Sequence, residues 1–141
     1  MLRLPLIHPP LLAALGAVGH GGRVLIADAN YSHATNVHPA ATVIYLNIRA
    51  GLVGVDDVLE PVLAVLPVEA MTLMRPDDGS TPAVFGRYRE LAGPDVPVDL
   101  LGRLDFYAEC RQPALAVCVA TGDQRLYANV LLTVGYIRPP G

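Results

Sequence analysis

The residues of this sequence that could move protons or hold a small polar ligand gather at three places: Gly19-His20-Gly21-Gly22, Asp28-Ala29-Asn30-Tyr31 and Tyr127-Ala128-Asn129. His20 lies between glycines, so no flanking side chain hinders a substrate from reaching an imidazole, the group whose ordinary pKa of about 6.5 suits proton exchange at neutral pH. The plain alternative is a histidine that only meets a helix end. Asp28 leaves the apolar run Val24-Leu25-Ile26-Ala27, where a carboxylate is partly desolvated and needs a partner. A turn cap, with Asn30 included, is its plain alternative. Tyr127 and Asn129, two apart, would share one face of a strand.

Other patterns fail on context. Gly19-x-Gly21-Gly22 resembles a phosphate-cradling loop, but it precedes a strand instead of linking a strand to a helix. His8, His20, Asp28, His33 and His38 are scattered, with no pair at helical ligand spacing, so no metal site is expected. Arg103 and Arg111 bracket a segment that carries Tyr107 and Glu109; such charges usually form exposed faces.

The elements that must position these groups follow from hydrophobic period and punctuation. Helices are expected over Pro9–Val18, Val55–Leu66, Pro82–Leu91 and Leu101–Arg111, and strands over Arg23–Asp28, Thr42–Leu46, Val68–Met74, Leu115–Ala120 and Leu126–Thr133. Helices alternating with buried strands imply an α/β three-layer sandwich with a mostly parallel, mixed central sheet. The final two strands, joined around Thr121-Gly122-Asp123, are expected to pair antiparallel. Ligands in such sheets bind beyond the carboxyl ends of the strands, which favours Asp28 and the loop behind it.

The chain has 141 residues, enough for one domain over residues 1–141. A hydrophobic fraction of 52% against 16% charged suggests that some apolar surface packs on other subunits. A net charge of -3 and ten scattered arginines, with no lysine, supply no basic face for nucleic acid. No apolar stretch reaches the roughly 20 residues that span a bilayer, and the run after Pro9-Pro10 reads as a first helix, not a leader. Cys110 and Cys118 match neither a redox pair nor a zinc knuckle, and read as buried thiols in a reducing cytosol.

Taken together, His8-Pro-Pro-Leu-Leu-Ala-Ala-Leu15, Gly19-His-Gly21, Ile26-Ala-Asp-Ala-Asn30, Tyr127-Ala-Asn-Val-Leu-Leu132 and Gly135 resemble the fucose mutarotase and ribose pyranase family. The resemblance implies a cytoplasmic, cofactor-free isomerase that interconverts anomers or ring forms of a monosaccharide. It implies that His20 is the general acid, that Asp28 is a sugar-binding carboxylate, and that Tyr127, Ala128 and Asn129 bind hydroxyls; on that mechanism His20 and Asp28 are the catalytic residues, His20 protonating the ring oxygen and Asp28 holding the imidazole or a hydroxyl in place. Arg103 falls where the fucose branch has arginine and the ribose branch histidine. Self-association into a ring, a pentamer or decamer with sites near subunit contacts, is implied as well. The sequence departs from the family at Tyr31-Ser32-His33, where an aromatic-proline pair is common, and at Gly22, where an acidic residue is common. A non-catalytic sugar-binding or transport-accessory module would use the same pocket. An isomerase or lyase of a hydroxy acid, with Asp28 as base and Arg103 on a carboxylate, is a third reading.

Overall fold

The structure, a computed structural model, describes residues 1–141. In chain order its elements are α1 (Pro9–Gly16), β1 (Arg23–Ala27), β2 (Thr42–Tyr45), α2 (Val55–Val65), β3 (Val68–Arg75), α3 (Val84–Ala92), β4 (Val98–Gly102), α4 (Arg103–Cys110), β5 (Leu115–Ala120) and β6 (Val130–Val134). The strands form one sheet in the order β2-β5-β1-β6-β3-β4. β1 and β2 each pair parallel with β5, and β3 pairs parallel with β4, while β6 runs antiparallel to both β1 and β3. The sheet is thus mixed, and every strand but β6 points the same way.

Alternation along the central strands divides the interior into two cores. Val24 and Ile26 of β1 face α1, α2 and α3 together with Val117, Val119, Val130 and Leu132. Leu25 and Ala27 face the other way, onto Phe106 and Cys110 of α4 and onto Tyr31. Each core is a layer of helix on sheet, and β1, buried on both faces, is shared between them. Cys110 and Cys118 are buried and unpaired, and burial pushes their thiols up to about 11 and about 12. No helix is long and apolar enough to cross a membrane.

Three expectations need correction. The last two strands do not pair, because β1 lies between β5 and β6 and takes both as neighbours. The nine residues between them are long enough to step over a strand. The expected helix over Leu101–Arg111 starts at Arg103, since Val98–Gly102 forms β4 against Met71–Arg75. The apolar residues there serve a sheet edge, whose partner is remote in sequence. The last strand begins at Val130, not Leu126, and Tyr127 has a φ of 58°, outside any strand conformation. Tyr127 and Asn129 therefore do not share a strand face.

Candidate functional site

Parallel strands end together, so β1, β3, β4 and β5 deliver their carboxyl ends to one edge of the sheet, and the start of antiparallel β6 joins them there. At that edge Asp28, Asn30, Tyr31, Met74, Arg103, Tyr107, Leu126, Tyr127 and Asn129 line a pocket of about 200 Å³. It is smaller than the roughly 300–1,000 Å³ pockets that hold drug-sized ligands, and it mixes an apolar wall with convergent polar groups.

Asp28 and the 127–129 segment hold each other. The Asp28 amide donates to Asn129 Oδ1 at 2.8 Å, and the Ala128 amide donates to Asp28 Oδ2 at 3.3 Å. The Asn30 amide donates to Asp28 Oδ1 at 3.0 Å. Burial, at 3% exposure, pushes the Asp28 carboxyl above its ordinary value, against the pull of the Asn30, Ala128 and Tyr31 amides, with Asp123's charge adding to the rise. The result is a carboxylate fixed in place by backbone amides and raised above its ordinary value by burial.

Tyr127 turns the chain so that the Ala128 amide meets Asp28. A left-handed φ in a bulky residue costs about 1–3 kcal/mol and persists only where surrounding contacts enforce it. Here the fully buried Tyr88 donates its hydroxyl to the Ala128 carbonyl at 2.7 Å. Asp123 anchors the other end of the loop: its carboxylate accepts the Val55 amide at the start of α2 and grips the Arg125 guanidinium, and its carbonyl accepts the Ala29 amide. Burial alone would raise the Asp123 carboxyl, but Arg125 and the Val55 and Arg125 amides hold it below its ordinary value. Arg125 also reaches Asp56 at 2.5 Å.

The remaining walls have distinct duties. Tyr31, 5% exposed, gives its hydroxyl to the Asn36 carbonyl, and burial raises its phenol, so it offers a ring and not a proton. Tyr107 meets it edge-on at 5.4 Å. Arg103 opens α4, sits 5.9 Å over the Tyr107 ring and lies 3.8 Å from Asp77, and its half-exposed guanidinium borders the pocket mouth.

The structure brings Asp28, Arg103, Tyr127 and Asn129 together, with Ala128 behind them, and it does not bring His20. His20 precedes β1 and Asp28 follows it, so the five residues of the strand alone separate them by roughly 16 Å. Within one chain Asp28 cannot hold the His20 imidazole. His20 instead lies 3.1 Å from Glu69 Oε2 and packs its ring against Tyr136. Met74 and Leu126 escaped the sequence reading because apolar residues carry no chemical signature; only topology turns them into walls. Of the other histidines, the His8 ring accepts the Leu11 amide and caps α1, and the His38 ring accepts the Ala40 amide. No three histidine, cysteine, aspartate or glutamate side chains converge on one point.

The family model described as "RbsD / FucU transport protein family" matches residues 1–137. Among solved structures, the chain is 28% identical to the fucose mutarotase of Streptococcus pneumoniae in complex with L-fucose, with a TM-score of 0.83 over 98% of this chain and 100% of that one. It is also 28% identical to FucU of Bifidobacterium longum, with a TM-score of 0.77 over 94% and 96% of the two chains. Bacillus subtilis RbsD, complexed with D-ribose, shares the fold at 19% identity, with a TM-score of 0.81 over 98% and 100%.

Proposed function

The chain belongs to the RbsD / FucU transport protein family, and on that premise we propose that it interconverts the anomers or ring forms of a fucose- or ribose-like monosaccharide without a cofactor. The observation that carries this reading is the pocket at the carboxyl ends of the strands, where a fixed, desolvated carboxylate sits beside an aromatic wall in a volume suited to one sugar ring.

Opening a cyclic hemiacetal needs a proton delivered to the ring oxygen and another removed from the anomeric hydroxyl. In this proposal protonated His20 gives its proton to the ring oxygen as the bond from that oxygen to the anomeric carbon breaks. Asp28 takes the anomeric hydroxyl's proton as the carbonyl forms. Closure on the other face of the carbonyl reverses both transfers, so acid and base are restored. Arg103, Tyr127 and Asn129 hold the remaining hydroxyls. Such a positioned acid contributes typically ~10²–10⁴ in rate, enough to matter for a reaction that already proceeds in water.

Because His20 and Asp28 occupy opposite ends of β1, the imidazole must enter the pocket from a second copy of the chain. Exposed apolar residues support this: Leu126 lines the pocket, Leu104 follows Arg103 in the chain, and Tyr136 packs against His20 with Ile137 next in the chain. An interface that joins one end of a subunit to the opposite end of the next is heterologous, and it gives a ring where the rotation between neighbours closes. A cytoplasmic pentamer or decamer is the assembly this proposal carries.

The half-exposed His20, outside its own chain's pocket, favours a second reading: a sugar-binding module without catalysis. Saturation-transfer NMR on a panel headed by L-fucose and D-ribose separates the two. Faster exchange between anomeric signals in the wild type, lost in H20A with binding kept, supports catalysis. Ligand-induced shifts with no faster exchange favour the binding module, and exchange unchanged in H20A refutes the role of His20.

A further inference from the structure

Glu69 occupies an irregular position in an otherwise regular strand. Val68 pairs with Val134 and Ala70 pairs with Thr133, so Glu69 is one residue too many for its partner strand. Such a bulge leaves the extra residue out of the ladder and re-aims its side chain. Here it is aimed at the turn that carries His20, 49 residues away, and places Glu69 Oε2 3.1 Å from His20 Nε2. The backbone around the bulge is close-fitting: the Gly135 amide donates to the Pro67 carbonyl at 2.7 Å, and a Cβ at Gly135 would lie 3.4 Å from Glu69 Cβ.

The turn itself is pinned from the same side. The Gly21 amide donates to the Val134 carbonyl at 2.8 Å, and the Val134 amide donates to the Gly22 carbonyl at 2.9 Å. Gly19 and Gly21, on either side of His20, have φ of 73° and 81°, a conformation glycine adopts without strain. The backbone of His20 is therefore fixed, and its ring has one polar partner, Glu69, and one packing partner, Tyr136, at 5.1 Å between centroids. Arg138 lies on the far partner, its guanidinium donating to the Tyr136 hydroxyl at 3.3 Å.

A carboxylate can only accept, so the hydrogen in this contact belongs to Nε2 of the imidazole. Building on the reading that His20 is the proton donor, we infer that Glu69 is its positioning residue: the bulged carboxylate holds Nε2–H and leaves Nδ1 as the atom that exchanges a proton with the sugar. The Nδ1 proton passes to the ring oxygen, the imidazole is left neutral with Nε2–H still on Glu69, and Nδ1 recovers the proton on closure. As a simple exposed ion pair, with side chains 55% and 43% exposed, this contact would contribute little to stability. Its consequence is in the tautomer and the ring's direction.

Long-range 15N–1H NMR of labelled protein reads the tautomer, and saturation-transfer NMR with L-fucose and D-ribose reads exchange. In the wild type the neutral His20 ring is expected in the Nε2–H form. In E69A it should become a tautomer mixture, and kcat should fall ~10–100-fold with KM little changed, the range seen when the group orienting a functional histidine is removed from metal sites. E69Q keeps an acceptor oxygen, so it should keep the tautomer and lose less rate than E69A; should E69A fail to fold, the wild-type tautomer and E69Q decide. An Nδ1–H tautomer in the wild type, a rise in KM alone, or wild-type kcat in E69A while H20A is inactive would overturn the assignment of Glu69. Exchange unchanged in H20A would instead overturn the reading on which it rests.

Discussion

The two ends of the central sheet treat their polar groups in opposite ways. At the carboxyl end, Asp28, Asn129 and Asp123 are buried and tied to backbone amides, so their positions are set before any ligand arrives. At the amino end, His20 and Glu69 stand half in solvent, with a backbone held by the sheet but side chains held mainly by each other. The difference teaches that one chain sets its buried carboxylate and its exposed imidazole at opposite edges of the sheet, so the proposed reaction needs a second copy to bring them together. Fixed hydrogen bonds suit the end that, in the proposed function, discriminates hydroxyls. Exposure suits the end that the proposed assembly would insert into a neighbour.

The largest effect that can break this comparison is complementation. H20A and D28A should each lose exchange by ~10²–10⁴. Co-expressed, they should regain roughly a quarter of wild-type activity, since random association in a ring places an intact imidazole against an intact pocket at that frequency. A mixture as inactive as its components would mean that each chain uses its own His20.

A smaller effect probes the rigid end alone. D123N should lower stability by about 1.5–3 kcal/mol, the ordinary worth of hydrogen bonds to a charged group, read as a shift of the denaturant midpoint. The sign with pH follows from the depressed carboxyl of Asp123. Its contribution is fully present above the unfolded value of about 4 and is lost as pH falls through the lower folded value. The gap between wild type and D123N should hold at neutral pH and close in acid; a gap that widens in acid would contradict the role given to Asp123.

The smallest effect sharpens the cost of that rigidity. Y127G removes a side chain from a left-handed backbone, so it should gain stability by up to about 1 kcal/mol on thermal unfolding while sugar affinity falls. If Y127G loses stability instead, ring packing outweighs the strain.

Much of the fold was legible in residue order. The buried run of β1, the amphipathic α2 and the acidic strand exit at Asp28 announce themselves locally, because burial pattern and helix period are properties of adjacent residues. β4 was not legible: Val98–Gly102 is a strand only because β3 offers it an edge. Nor was the break between Tyr127 and Val130, where ties to Tyr88 and Asp28 override the strand preference of the sequence. Glu69 gave only one signal, a charge inside an apolar strand, and nothing nearby named its partner.

By itself the sequence determined which side chains could do proton chemistry and that Asp28 would stand where a strand exits the core. Tertiary structure alone decided that β6 returns antiparallel between β1 and β3, which sets Asn129 against Asp28 at one edge and carries the chain on to Tyr136 beside His20 at the other. The physical reason is range. Helix period and strand alternation are written in neighbours, whereas strand order is settled by which distant apolar faces bury one another, and that order determines which polar groups meet.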